Sequence, residues 1–72
     1  MTSEYHYEID IYWSDSDRSF VAEVPELPGC VADGGTYAEA LAAAQEAIAV
    51  WTEAARQLGR PIPAPRQRSV KP

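Results

Sequence analysis

The segment Val-Pro-Glu-Leu-Pro-Gly-Cys at residues 24–30 restricts how this chain can fold more than any other stretch. Pro25 and Pro28 each fix φ at about −65° and lack a backbone N–H, and Gly29 can take the positive φ that other residues avoid. A connection with so few conformations sets the angle between the elements on either side of it. No catalytic residue types cluster around this segment, so we interpret Pro25, Pro28 and Gly29 as architecture.

Hydrophobic alternation predicts short strands on both sides of the connection. Ser19–Val24 alternates in the same way as residues 5–13, and a polar turn at residues 14–18 joins the two runs, which indicates an antiparallel hairpin. Cys30–Asp33 is long enough for a short third strand. On the first strand, the side that we expect to be buried carries Tyr5, Tyr7, Ile9, Ile11 and Trp13.

A long helix follows a Gly-Gly break at residues 34–35. Thr36 and Glu39 match a capping box, in which Thr36 accepts from the Glu39 N–H and Glu39 bonds back to the N-cap, and Gly59 suits the helix end. We expect Glu39, Glu46 and Glu53 on the solvent-exposed side of this helix. The predicted buried stripe is Tyr37, Leu41, Ala44, Ile48, Trp51, Ala55 and Leu58. Beside it, Ala43, Ala47, Val50 and Ala54 form an apolar flank, which we interpret as ordinary helix surface, with a contact patch as the alternative.

The small size of the chain predicts that it needs a partner. A core of 72 residues supplies only about 3–5 kcal/mol, and such domains are often helped by disulfides, metals or oligomerisation. With one cysteine no internal disulfide can form, and one cysteine and one histidine offer few ligands for a metal. Association with another chain is therefore the candidate source of stability. No apolar run approaches the ~20 residues of a membrane span, and the acidic start lacks the features of a signal peptide. We therefore expect a cytoplasmic protein with a reduced thiol.

Charge is divided unevenly along the chain. All eleven acidic residues lie in positions 1–53 with Arg18 as the one base there, and positions 54–72 hold five bases and no acid. An acidic body repels phosphates, so we expect no direct nucleic-acid binding and a basic protein as the partner. The candidate partner-binding residues are Glu8, Asp10, Asp15, Asp17, Glu26 and Asp33.

The residues that carry chemistry do not form a catalytic pattern. His6 has no sequence-evident nucleophile or orienting group, and Cys30 lies among apolar and acidic neighbours that do not favour a thiolate. The acidic residues could hold Mg²⁺, with Asp10 and its neighbours as ligands of a degenerate nuclease, but we interpret them as a solvated acidic surface. We predict no cofactor, no metal site and no enzymatic activity.

The order of these segments resembles the HicB antitoxin family. The resemblance implies a small α+β unit of β-β-β-α-β order, an antiparallel sheet with one long helix like a reduced RNase H fold, over residues 1–65, with a basic tail or edge strand at 66–72. It also implies a protein that masks a small basic HicA-type ribonuclease toxin and self-associates. The alternatives are the degenerate nuclease and a stand-alone structural subunit without a toxin. The matching residues are Phe20–Ala22, Val24–Cys30, Gly35–Ala40 and Gly59–Pro65, with Pro25, Pro28, Gly29, Gly35, Thr36 and Glu39 as the structural signature.

Overall fold

Three short strands and one long helix make up the fold. The computed structural model describes residues 6–64. Its elements are β1 (Asp10–Ser14), β2 (Ser19–Glu23), β3 (Val31–Gly34) and α1 (Tyr37–Gln57). The strands form one antiparallel sheet in the order β1-β2-β3. This confirms the predicted small α+β unit. The expected last strand and basic tail at 66–72 lie outside the described residues, as does Tyr5, and the likeness to RNase H remains a prediction.

The register gives the sheet an apolar inner side and an outer side that carries both acidic and apolar residues. Asp10 pairs with Glu23 on β1 and β2, and Glu23 pairs with Val31 on β3. Because side chains alternate along a strand, every second row faces α1. The inner rows are Ile11–Ala22–Ala32 and Trp13–Phe20–Gly34. The outer rows are Asp10–Glu23–Val31 and Tyr12–Val21–Asp33.

The first strand differs from its predicted extent. It starts at Asp10, and not at Tyr5, because β2 ends at Glu23, the pairing partner of Asp10, and the chain then turns away. Tyr7 is buried as predicted, but Trp13 is 48% exposed. The reason is that α1 packs mainly over β3 and β2, so the far end of β1 has less cover.

The rigid connection consists of two consecutive turns. The Leu27 N–H donates to the Val24 carbonyl at 3.0 Å, and the Cys30 N–H donates to the Leu27 carbonyl at 3.0 Å. Each turn has proline at its second position, and the φ of +79° at Gly29 is that of a type II turn. Leu27 lies where the turns meet and is 1% exposed. The connection therefore presents one apolar side chain to the core.

Both ends of α1 are capped by local sequence signals. The Glu39 N–H donates to Thr36 Oγ1 at 3.1 Å, as predicted. Glu39 Oε1, however, accepts from the Gly35 N–H at 2.9 Å, one residue before the predicted N-cap amide. At the other end Gly59 has φ +71°, and the Arg60 N–H donates to the Ala55 carbonyl at 2.8 Å, which is a Schellman motif.

The predicted helix stripe is correct in its middle and wrong at its ends. A helix of 21 residues spans about 32 Å, while five-residue strands span about 17 Å, so α1 extends past the sheet. Leu58, near its C-terminal end, is consequently exposed, and Trp51 is half-buried. Near the N-terminal end the buried residue is Ala40, so Tyr37 and Leu41 lie beside the buried face and are exposed. Glu39, Glu46 and Glu53, which were predicted to lie on the solvent-exposed side, are exposed. The buried helix residues are Ala40, Ala44, Ile48, Thr52 and Ala55.

Two apolar clusters hold α1 on the sheet. Near the start of the helix, Ala40 and Ala44 pack on Ala22. Nearer its end, Ile48 joins the cluster that contains Leu27. The rest of this second cluster is Tyr7, Val24 and Cys30. Within residues 6–64, no helix is long and apolar enough to cross a bilayer.

Candidate partner-binding surface

Four of the six acidic residues predicted to bind a partner are exposed. Asp10 lies on β1 and Asp33 on β3, both on the outer side of the sheet. Asp15 and Asp17 lie in the turn between β1 and β2. Their exposure leaves these four carboxylates accessible, the strand and turn residues occupy different parts of the surface, and their role in partner binding stays a prediction.

The other two predicted residues, Glu8 and Glu26, lie apart from that surface. Both are half-buried, and both make polar or electrostatic contacts. Glu8 precedes β1, and Glu26 lies in the rigid connection. Their carboxylates are thus less available to a partner than those on the strands and in the turn.

The sequence analysis missed Glu23, which completes an acidic face with Asp10 and Asp33. Glu23 is exposed and lies opposite Asp10 in the outer row of the sheet. The alternation of β2 contained the signal, because it puts Glu23 on the side opposite Phe20 and Ala22. We call Asp10, Glu23 and Asp33 the acidic face.

A tyrosine on the same side of the sheet is bonded to the acidic face. The Tyr12 hydroxyl donates to Glu23 Oε2 at 2.6 Å. This hydrogen bond, with a smaller effect of desolvation and of the negative charges of Glu23 and Asp17, raises the pKa of Tyr12 above its usual 10.0. The phenol therefore remains a neutral donor at physiological pH.

The turn end of the sheet carries an aromatic row made of Trp13, Phe20 and Tyr37. The Trp13 and Phe20 rings meet edge to face at 5.1 Å, and the Phe20 and Tyr37 rings lie 4.2 Å apart at a 34° tilt. Trp13 Nε1 donates to Asp15 Oδ1 at 3.4 Å, and the Ser14 hydroxyl donates to Asp17 Oδ2 at 3.0 Å. The row thus joins exposed aromatic surface to carboxylates.

A groove of about 470 Å³ lies between the start of β3 and one side of α1. Val31 borders it on the strand side, and Ala43, Ala47 and Val50 border it on the helix side. Glu46 is its one charged lining residue. The sequence analysis interpreted this helix flank as ordinary surface, and it missed the groove because the opposite wall comes from another element.

The floor of the groove is fixed by the rigid connection. Trp51 Nε1 donates to the Pro28 carbonyl at 2.9 Å, which ties α1 to the second turn. Cys30 is buried, and burial raises the pKa of its thiol above 9.0. A neutral, enclosed thiol is a poor nucleophile and a poor metal ligand. The residues at the groove floor therefore serve packing.

The described residues do not assemble a catalytic or metal-binding group. Between residues 6 and 64, no three His, Cys, Asp or Glu side chains come together in a way that could hold a metal ion. His6 is exposed. Asp10 lies on β1 and Asp33 on β3, with β2 between them. At the usual strand spacing, β1 and β3 are about 10 Å apart. Nothing in this part of the chain favours the nuclease alternative.

These features define a class of protein: a small α+β binding module with an acidic sheet face and an apolar groove. The chain matches the family described as HicB-like antitoxin of bacterial toxin–antitoxin systems over residues 7–70. It is also 40% identical over 53 residues to a UPF0150 protein of Thermoplasma acidophilum, an alignment that covers 74% of this chain and 77% of that protein. No solved structure gave a significant match.

The chain belongs to the HicB-like antitoxins of bacterial toxin–antitoxin systems. Membership in this family implies a toxin as the partner and suggests a non-enzymatic role.

Proposed function

We propose that this chain neutralises a small basic HicA-type ribonuclease toxin in the cytoplasm by direct protein contact. The observation that carries this proposal is the acidic face, whose three exposed carboxylates lie on adjacent strands of one surface. A protein that binds RNA needs positive charge, so its RNA-binding surface is attracted to such a face. Occupation of that surface keeps RNA away from the toxin.

Electrostatic complementarity of this kind mainly raises the association rate and selects the partner. In residues 6–53 Arg18 is the one basic side chain, and it lies in the turn between β1 and β2. Because exposed charges are screened by salt, the affinity for the toxin should fall as ionic strength rises.

The proposal predicts that a HicA-type protein is encoded beside this chain's gene, and it is tested by measuring binding to that protein. Asp33→Asn and Glu23→Gln each remove one charge from the acidic face, and we expect each to slow association about 3- to 10-fold at low salt. Glu53→Gln is the control, because it removes the same charge from the solvent-exposed side of α1 and not from the acidic face. There Glu53 contacts Arg56. If the wild-type chain does not bind that protein, the proposal is wrong.

We also propose that the chain self-associates, as its small core and exposed apolar side chains favour. Tyr37, Val50 and Leu58 are each more than 60% exposed. Association between two acidic copies works against charge repulsion, so added salt should strengthen it, opposite to its effect on toxin binding. Light scattering across a concentration series measures this. A monomeric mass at high concentration and high salt would rule out self-association.

A further inference from the structure

The edge of β3 that faces away from β2 presents backbone hydrogen-bonding groups. The Val24 N–H donates to the Cys30 carbonyl at 3.1 Å, so these two residues form a hydrogen-bonded pair just before β3. In an antiparallel ladder such pairs alternate with pairs whose backbone groups point outward. The register therefore directs the N–H and C=O groups of Val31 and Asp33 towards the open edge.

Within residues 6–64 this edge is protected by its short length of four residues and by the charge of Asp33, and not by the other usual devices. Natural edges are also commonly protected by lysine, proline, a bulge or a covering element. β3 reads Val-Ala-Asp-Gly and pairs with β2 in continuous register, and among residues 6–64 no strand lies on its other side. Its one charge is the carboxylate of Asp33. This edge disfavours an acidic strand and admits a basic one.

The groove begins at this same edge. Val31 at its strand wall is 55% exposed, and Val50 at its helix wall is 65% exposed. An extended segment that paired with β3 would have its alternate side chains directed towards this apolar groove. Backbone hydrogen bonds to β3 and burial of apolar side chains in the groove would then both stabilise the bound segment.

Charge decides which chain fits there. Among residues 6–64, the lining of the groove includes one charged residue, Glu46, and no base. Asp33 lies on the adjoining strand. A second copy of this chain would bring the same carboxylates into contact across a symmetric pairing of β3 with β3, which is repulsive. A positively charged segment would instead be attracted to both carboxylates.

We propose that β3 and the adjoining groove receive an extended, positively charged segment of the toxin, which adds to the sheet as a strand and inserts an apolar side chain into the groove against Val50. This proposal rests on the proposed function and identifies the anchor of the same contact. The acidic face steers the partner, and the groove with its open edge holds it.

The backbone part of the proposal is tested with two substitutions at Val31. Val31→Pro removes an outward N–H at an edge position where proline is tolerated. Val31→Thr keeps both the N–H and the branched shape. We expect Val31→Pro to weaken binding to the adjacent-gene HicA-type protein roughly 10- to 100-fold and Val31→Thr to change it less than about threefold.

The groove part is tested with a matched pair on α1. Val50→Arg introduces a cation and removes apolar surface at the groove wall, while Ala49→Arg introduces the same group at an exposed neighbour outside the lining. We expect Val50→Arg to weaken toxin binding roughly 10- to 100-fold, and Ala49→Arg to leave it within about threefold. Thermal melts of both variants report whether the fold is retained.

The possible outcomes separate this proposal from the proposed function. Wild-type chain that binds no adjacent-gene HicA-type protein overturns both. Wild-type binding that survives Val31→Pro and Val50→Arg overturns the groove alone. If Val50→Arg dissociates a homodimer while toxin binding persists, the groove binds a second copy of the chain. If Val50→Arg, unlike Ala49→Arg, lowers the thermal stability while toxin binding persists, the groove serves the chain's own fold. Either result overturns the proposal.

Discussion

Replacement of Gly34 by alanine tests how closely α1 approaches the sheet. A Cβ at Gly34 would lie 2.5 Å from the Ala40 amide nitrogen, 2.7 Å from the Glu39 carbonyl carbon and 2.8 Å from Glu39 Cβ. Two of these atoms are helix backbone and cannot rotate away. The first turn of α1 would have to move away from β3, which weakens the contact of Ala40 with Ala22.

The expected cost follows from two opposing terms. Forcing an extra carbon into a packed site costs about 1–3 kcal/mol. Gly34 has an ordinary negative φ, so alanine also gains about 0.4–1 kcal/mol by restricting the unfolded chain. We expect a net loss of about 1–2 kcal/mol, which lowers the Tm of a domain this size by roughly 5–15 °C.

Gly35→Ala is the matched control for Gly34→Ala. A Cβ there meets Glu39 Oε1 at 3.0 Å, and that atom is the end of a flexible side chain. We expect a change within about 0.5 kcal/mol. Urea unfolding followed by tryptophan fluorescence measures both variants. A Gly34→Ala variant as stable as the wild type would refute the close approach of helix and strand.

Three further predictions concern single side chains. Leu27→Ala should cost about 2–5 kcal/mol in urea unfolding because Leu27 is 1% exposed, whereas Leu58→Ala, at a site 68% exposed, should cost less than about 1 kcal/mol. The raised pKa of Tyr12 means that the folded state retains the phenol proton to a higher pH than the unfolded chain does. The resulting stabilisation is present below pH 10 and lost as the pH rises through the folded-state pKa. Glu23→Gln should return the phenolate absorbance titration towards pH 10. Because burial raises the pKa of Cys30, its reaction with a thiol reagent at pH 8 should be at least about tenfold slower in the folded than in the urea-unfolded chain, and equal rates would contradict that burial.

Local signals in the sequence were sufficient to predict the element order and the helix ends. The pair Thr36 and Glu39 predicts the N-terminus of α1, and Gly59 predicts its C-terminus, because capping depends on residues a few positions apart. The two prolines and Gly29 likewise predict the turns that the connection forms. These features need no knowledge of the tertiary contacts.

Contacts between distant elements were not predictable in the same way. Exposure of Leu58 depends on the helix extending past the sheet, and the need for glycine at position 34 depends on where the helix starts above β3. The groove requires both Val31 and Val50, which lie on different elements. Periodicity reports which side of an element is apolar, and it does not report what covers that side.

The exposure of the acidic residues was predictable in part. Period-2 alternation correctly placed Asp10 on the exposed side of β1, and the same pattern in β2 would have found Glu23. Half-burial of Glu8 and Glu26 was not predictable, since it depends on segments without regular periodicity.

The most direct test of the central claim is a titration of RNA cleavage by the purified HicA-type protein encoded beside this chain's gene. The account predicts that cleavage falls to background near one antitoxin chain per toxin, that Ala49→Arg inhibits equally, and that Val50→Arg requires roughly 10- to 100-fold more protein. Undiminished cleavage at a large excess of the wild-type chain would contradict the claim that this protein neutralises the toxin by direct contact.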